Sequence, residues 1–138
     1  MKLDHDRIRT KLLDISRALT RLRRFQTKTK EDFLSDEDSQ DIARSRLLTA
    51  IEAALNICYH ITAKMFQKVP EDYAECFQIL GSEGILEPDL ASRLSQMARF
   101  RNRLVHMYWD IDYAQVYDII VHDLKDLEEF SGQVAKLI

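Results

Sequence analysis

Glycine and proline are scarce, with three Gly and two Pro in 138 residues. A strand-and-turn architecture needs many more such punctuators, so the composition argues for helices. Two cysteines, Cys58 and Cys76, cannot build a disulfide framework, and no CxxC pair or Cys/His ligand spacing offers a metal site. Both sit inside apolar helical patterns and read as buried free thiols of a reducing compartment. No apolar run approaches the length of a membrane span, and the first 25 residues lack the continuous apolar core of a signal peptide. A cytoplasmic protein is the expectation. With no repeat and no shift of composition, residues 1–138 read as a single domain.

Charge is plentiful at 31% of residues, and the net of −3 disfavours a nucleic-acid partner on its face. The average hides a split. Residues 1–30 carry ten Lys/Arg against three acids, whereas residues 31–138 carry ten against twenty. Seven acids and one lysine fall within Asp110–Glu129, a stretch that reads as a solvated or partner-facing surface. A local cationic groove attracts phosphate even when the total charge is negative.

Apolar periodicity is helical almost throughout. Ile8, Leu12, Ile15, Leu19 and Leu22 make one stripe on a first helix from about Asp4 to Phe25. A short turn of helix is expected in Thr27–Ser39, followed by a capping signature at Ser35-Asp36-Glu37-Asp38. A long helix then runs from about Asp38 to Val69, with Leu47, Ile51, Ala54, Cys58, Ile61 and Met65 in line and Pro70 as its terminator. Tyr73, Phe77 and Leu80 mark a short helix that stops at Gly81-Ser82-Glu83-Gly84. Pro88 opens the next, from about Glu87 to Tyr108. Asp112 caps a last helix reaching the C-terminus, with Gly132 its weak point. The sum is an all-α, up-and-down bundle of four long helices plus a short one.

One stripe contains an anomaly. Leu90, Leu94, Met97, Leu104 and Tyr108 are spaced for burial, and the position between Met97 and Leu104 is Arg101. An unpaired buried guanidinium costs several kcal/mol. Arg101 must therefore reach a cleft, pair with a carboxylate or meet an anionic ligand. Asn102 and His106 share the adjoining face. Glu52, Asn56 and His60 lie on one line of the long helix and face this cluster if the two helices pack. Arg93, Arg99, Arg101 and Arg103 offer a local positive field, to which Arg17, Arg21, Arg23 and Arg24 add if the first helix packs nearby. Structural readings stand beside these: Arg101 satisfied by Glu52, a polar seam at Glu52, Asn56 and His60, and a solvated basic face on the first helix. Tyr73, Phe77, Tyr113 and Tyr117 read as core rather than as a base-stacking platform.

The run Arg101-Asn102-Arg103-Leu104-Val105-His106-Met107-Tyr108 resembles the R-x4-H-x-Y signature of HepT-like toxins, in the HEPN superfamily. The likeness extends over nearly the whole chain: the basic first helix, the Arg46–Ile61 helix, Pro70–Leu86, and Asp112–Tyr117 after the motif. It implies the toxin of a type VII toxin–antitoxin pair, a metal-independent ribonuclease acting as a homodimer with two motifs across a cleft. Arg101 and His106 become the catalytic pair and Tyr108 a member of the same site. Asn102 becomes a support for the site's geometry, and Glu52 and Asn56 resemble polar positions kept on the second helix. The cognate partner is a minimal nucleotidyltransferase antitoxin that transfers AMP to Tyr108, and the substrate is cellular RNA, tRNA foremost. No cofactor is implied. Such chemistry uses the RNA's own 2′-hydroxyl as nucleophile, so a histidine for proton transfer and an arginine for the phosphorane suffice. On one helix Arg101 and His106 point about 140° apart, which two facing copies reconcile. The alternatives are a non-catalytic helical binding module that partners the nucleotidyltransferase, and a structural helical dimer.

Overall fold

The computed structural model describes residues 2–106 and 108–138, and Tyr108 by its backbone alone. Among the described residues the chain is all α, with seven α-helices and two 3-10 turns around one apolar core.

Helix α1, His5–Leu22, starts where the Asp4 carboxylate accepts from the Arg7 amide at 3.0 Å. Its stripe of Ile8, Ile15, Leu19 and Leu22 is buried against the long helix α3, Glu37–Phe66. Between them lie a 3-10 turn, Arg23–Thr27, and the short α2, Lys30–Leu34. Asp36 caps α3 as its sequence signature predicts, accepting from the amides of Asp38 and Ser39. The Ser39 hydroxyl and then Lys28 hold the Asp36 carboxyl down at about 2. Leu47, Ile51, Ala54, Cys58 and Ile61 are each no more than 1% exposed, so α3 is the rod on which the other helices pack. Each fully buried leucine or isoleucine there contributes about 1.5–3 kcal/mol.

Pro70 is not what ends α3. The helix stops at Phe66, and Gln67 takes the left-handed conformation at φ 50°, a cap that returns an amide to the Thr62 carbonyl. Met65, expected on the buried stripe, is exposed at that frayed end. Helix α4, Tyr73–Ser82, and helix α5, Pro88–His106, form a tight antiparallel pair. Gly81 lets them approach, since a Cβ there would meet the Ala91 Cβ at 2.7 Å. The Ser95 hydroxyl bridges the pair, within 2.9 Å of the Ala74 and Ala91 carbonyls.

A 3-10 turn, Tyr108–Asp110, leads to α6, Tyr113–His122, and α7, Leu124–Ala135. Asp112 caps α6 as predicted. The single last helix that the periodicity predicts is divided at Asp123, while Gly132 sits inside α7 without breaking it. Val116, Ile120 and Leu124 step by four residues, and each such step carries the apolar stripe round by about 40°. A break re-aims Leu127, Phe130 and Val134 at the core, where each is fully buried.

The charge split is partly internal. Lys30 pairs with Asp118 at 3.0 Å, Arg23 pairs with Glu128, and Arg93 reaches Asp126 at 3.0 Å and Glu129 at 3.5 Å. The acidic stretch is thus partly a counter-surface for basic residues of the same chain. No helix among the described residues is long and apolar enough to cross a membrane.

Candidate active site

Arg101 does sit on the buried side of α5, between Met97 and Leu104 at 7% and 0% exposure, with its own side chain only 12% exposed. Three groups hold it. Glu52 of α3 accepts from Nη2 at 3.3 Å, Asn102 Oδ1 accepts from Nη1 at 3.3 Å, and the guanidinium carbon lies 4.8 Å above the centre of the Tyr73 ring. The carboxylate is about half exposed, so the pair is not a deeply desolvated one. Arg101 Nε is buried and has no partner among the described residues. The guanidinium is therefore positioned with donor capacity in reserve.

Glu52, Asn56 and His60, one helical turn apart, each find a partner from another helix. Asn56 Oδ1 accepts from Arg7 Nε at 3.1 Å. Because arginine can only donate, this bond also fixes which way the Asn56 amide points. His60 Nε2 accepts from the Asp4 amide at 2.8 Å, which makes the imidazole neutral with its proton on Nδ1. Burial first, then the nearby Arg7 charge, pushes its pKa below the ordinary value of 6.5. The predicted polar seam is thus present, and it ties α1 to α3.

In front of this seam lies an open cavity of about 420 Å3. Arg7, Glu52, Asn56 and Arg101 give it a polar lining, and Tyr59 and Tyr73 form an aromatic wall. The two rings meet edge to face with centroids 5.9 Å apart. Cys58 and Cys76 are buried free thiols, as the sequence predicts, and burial pushes the Cys58 thiol well up.

His106, at the last residue of α5, is exposed and does not line the Arg101 cavity. One chain therefore does not gather Arg101 and His106 around a common point. The last turn of α5 is fastened by Arg44 of α3, whose Nη2 donates to the Leu104 carbonyl at 2.9 Å. That carbonyl is one of those a helix C-terminus leaves without an intrahelical partner. The Tyr108 side chain lies outside the described residues.

The wider cationic field is smaller than the sequence suggests. Arg93 is neutralised by Asp126 and Glu129, and Arg23 by Glu128. None of Arg17, Arg21, Arg23 and Arg24 lines the cavity; the first helix contributes Arg7 instead. Arg7 and Arg44 carried no pattern in the sequence. Tyr73 did carry one, the amphipathic ring at the first turn of a short helix, although its spacing with Phe77 pointed to core alone. Among the described residues no group of three or more His, Cys, Asp and Glu side chains is arranged to hold a metal ion.

A family model described as ribonuclease HepT-like matches residues 15–134. The chain belongs to the HepT-like ribonuclease family. It is 35% identical over 127 residues to tRNA nuclease HepT of Aphanizomenon flos-aquae, covering 92% of this chain and 86% of that protein. It is 26% identical over 126 residues to mRNA nuclease HepT of Shewanella oneidensis, covering 91% and 94%. The fold superposes with a TM-score of 0.86 on a tri-AMPylated Shewanella oneidensis HEPN toxin solved in complex with MNT antitoxin, at 25% identity and 99% coverage of both chains. The HepT-like fold thus accounts for the whole helix order described above.

Proposed function

We propose that this HepT-like chain is the toxin of a type VII toxin–antitoxin pair, an endoribonuclease that cuts cellular RNA, tRNA foremost, without a metal ion. The observation that carries the reading is Arg101. It is a nearly buried cation on an apolar stripe, its Nε without a partner among the described residues, lining an open cavity and five residues before an exposed histidine. A fold that needed only packing at this position would place an aliphatic side chain there.

The chemistry assigned to these groups is internal transesterification. His106 takes the proton of a ribose 2′-hydroxyl, and the oxygen attacks the adjacent phosphorus. A bond from the 2′-oxygen to phosphorus forms, the bond to the 5′-oxygen breaks, and that oxygen leaves with a proton supplied by water. Arg101 neutralises the charge that develops on the phosphorane, and its planar fork suits two phosphate oxygens. A homodimer supplies His106 from a second copy, because the two side chains of one helix diverge by about 140°. Asn102 holds the guanidinium's orientation. The Aphanizomenon relative supports tRNA as substrate, and the AMPylated Shewanella toxin supports silencing by AMP transfer from a minimal nucleotidyltransferase to Tyr108. A bulky anion on Tyr108 would compete with RNA phosphate for Arg101.

Expression of the chain alone should arrest growth, and arrest should require both Arg101 and His106. Co-expression of the neighbouring nucleotidyltransferase should relieve it and add AMP mass to the Tyr108 peptide. The Glu52–Arg101 pair favours a second reading, a purely structural helical dimer in which Arg101 serves stability alone. Under it, expression leaves growth unchanged and folded His106→Ala protein behaves as wild type.

A further inference from the structure

The cavity in front of Arg101 has hydrogen-bonding capacity that the fold does not use. Asn56 uses its carbonyl oxygen on Arg7, and no partner among the described residues takes its two Nδ2 protons. Arg7 gives Nε to Asn56 and keeps the outer nitrogens of its fork. The carboxylate of Glu52 sits among these donors with its Oε2 paired to Arg101, and Tyr59 and Tyr73, also in the lining, carry hydroxyls that donate or accept. Tyr59, Tyr73, Leu55 and Ala63 supply the apolar part of the lining. At about 420 Å3 the space falls in the range of small-ligand sites. A flat ligand with an apolar face and an edge of acceptor atoms suits such a lining, and a bare anion leaves the aromatic wall without use.

We infer that this cavity is a subsite for one nucleobase of the RNA strand, beside the phosphate that Arg101 receives. The inference rests on the ribonuclease reading and deepens it. Bases in RNA complexes lie against aromatic rings and read donors and acceptors on their edges. Asn56 and Arg7 present donors, so a base with ring carbonyl oxygens is favoured. Adenine is the one base with no carbonyl and offers these donors ring nitrogens alone. Asn56 and Arg7 are the specificity residues, and Tyr73 positions both the base and Arg101.

Two measurements test it. The first maps cut positions in a random-sequence RNA pool for wild type and Asn56→Ala. The ratio of cleavage beside carbonyl bases to cleavage beside adenine should fall by about tenfold in the variant, the worth of one matched hydrogen bond. Because a ratio is read, a general loss of rate does not imitate the effect. An unchanged ratio overturns the subsite while leaving the ribonuclease reading intact. The second titrates uridine, guanosine and adenosine 3′-monophosphates and inorganic phosphate into the wild-type protein, followed by chemical shifts of the Tyr73 ring and the Asn56 amide. The carbonyl nucleotides should bind tighter than adenosine monophosphate and than phosphate alone. Equal binding of phosphate and all nucleotides makes the cavity an anion site and overturns the proposal. If the wild type cuts no RNA, the ribonuclease reading fails and this titration alone decides the subsite.

Discussion

Replacing Arg101 by alanine separates a catalytic arginine from a structural one, because the two roles differ in magnitude. The structural loss is bounded by what the side chain touches. Its pair with a half-exposed Glu52 is worth about 1 kcal/mol or less. The stack on Tyr73, with its guanidinium 4.8 Å from the ring centre, adds about 0.5–1 kcal/mol. Glu52 is open enough to be hydrated once the arginine is gone, so no uncompensated buried charge remains. With the Asn102 hydrogen bond and the buried stem adding about 1 kcal/mol, the sum is roughly 3 kcal/mol and lowers Tm by roughly 9–15 °C for a chain of this size. Against a domain stability of about 5–15 kcal/mol, the variant stays folded at 25 °C. The catalytic loss is larger: removing one donor aimed at transition-state charge costs about a hundred- to a thousandfold in rate. Thermal melts and single-turnover cleavage of a tRNA substrate by the two proteins give both numbers. A rate that falls severalfold or less, in step with the loss of stability, would refute the catalytic assignment.

Three further outcomes follow from particular contacts. Gly81→Ala should destabilise the chain by about 1–3 kcal/mol in chemical denaturation, since its new Cβ meets the Ala91 Cβ at 2.7 Å; a neutral effect would mean that the α4–α5 contact is looser than described. His60 should titrate below its ordinary 6.5 by NMR. The unfolded chain then binds a proton that the fold refuses, so stability should fall as pH drops below about 6.5, and His60→Gln should flatten that slope. Arg44→Ala should lower the cleavage rate with little change in KM, because it loosens the turn that carries His106, and Arg44→Lys should restore part of it.

Much of the fold was legible in the sequence because local chemistry and tertiary packing agree there. Asp36 and Asp112 are capping residues placed before apolar periodicity, and both helices start beside them. Where the two diverge, sequence reasoning fell short. Gln67 ends α3 in a left-handed cap although nothing in its side chain demands it, and the proline three residues on had looked sufficient. Asp123 breaks the last helix because the apolar stripe drifts, a cumulative effect that no single residue marks. At the site, the Arg101 anomaly and its pairing with Glu52 were readable from spacing, since α3 and α5 each have a defined buried face. Arg7 and Arg44 were not, because their roles depend on which turn of a neighbouring helix lies opposite. The charge split misled in one respect: sequence shows excess charge by segment, whereas pairs such as Lys30–Asp118 and Arg93–Asp126 cancel it in space.

The ends of the cut RNA test the central claim most directly. Purified protein should cleave tRNA in excess EDTA and leave 2′,3′-cyclic phosphate and 5′-hydroxyl termini, and folded His106→Ala protein should leave the tRNA intact. Cleavage that stops in EDTA and returns with magnesium, or that yields 3′-hydroxyl and 5′-phosphate ends, would contradict the account.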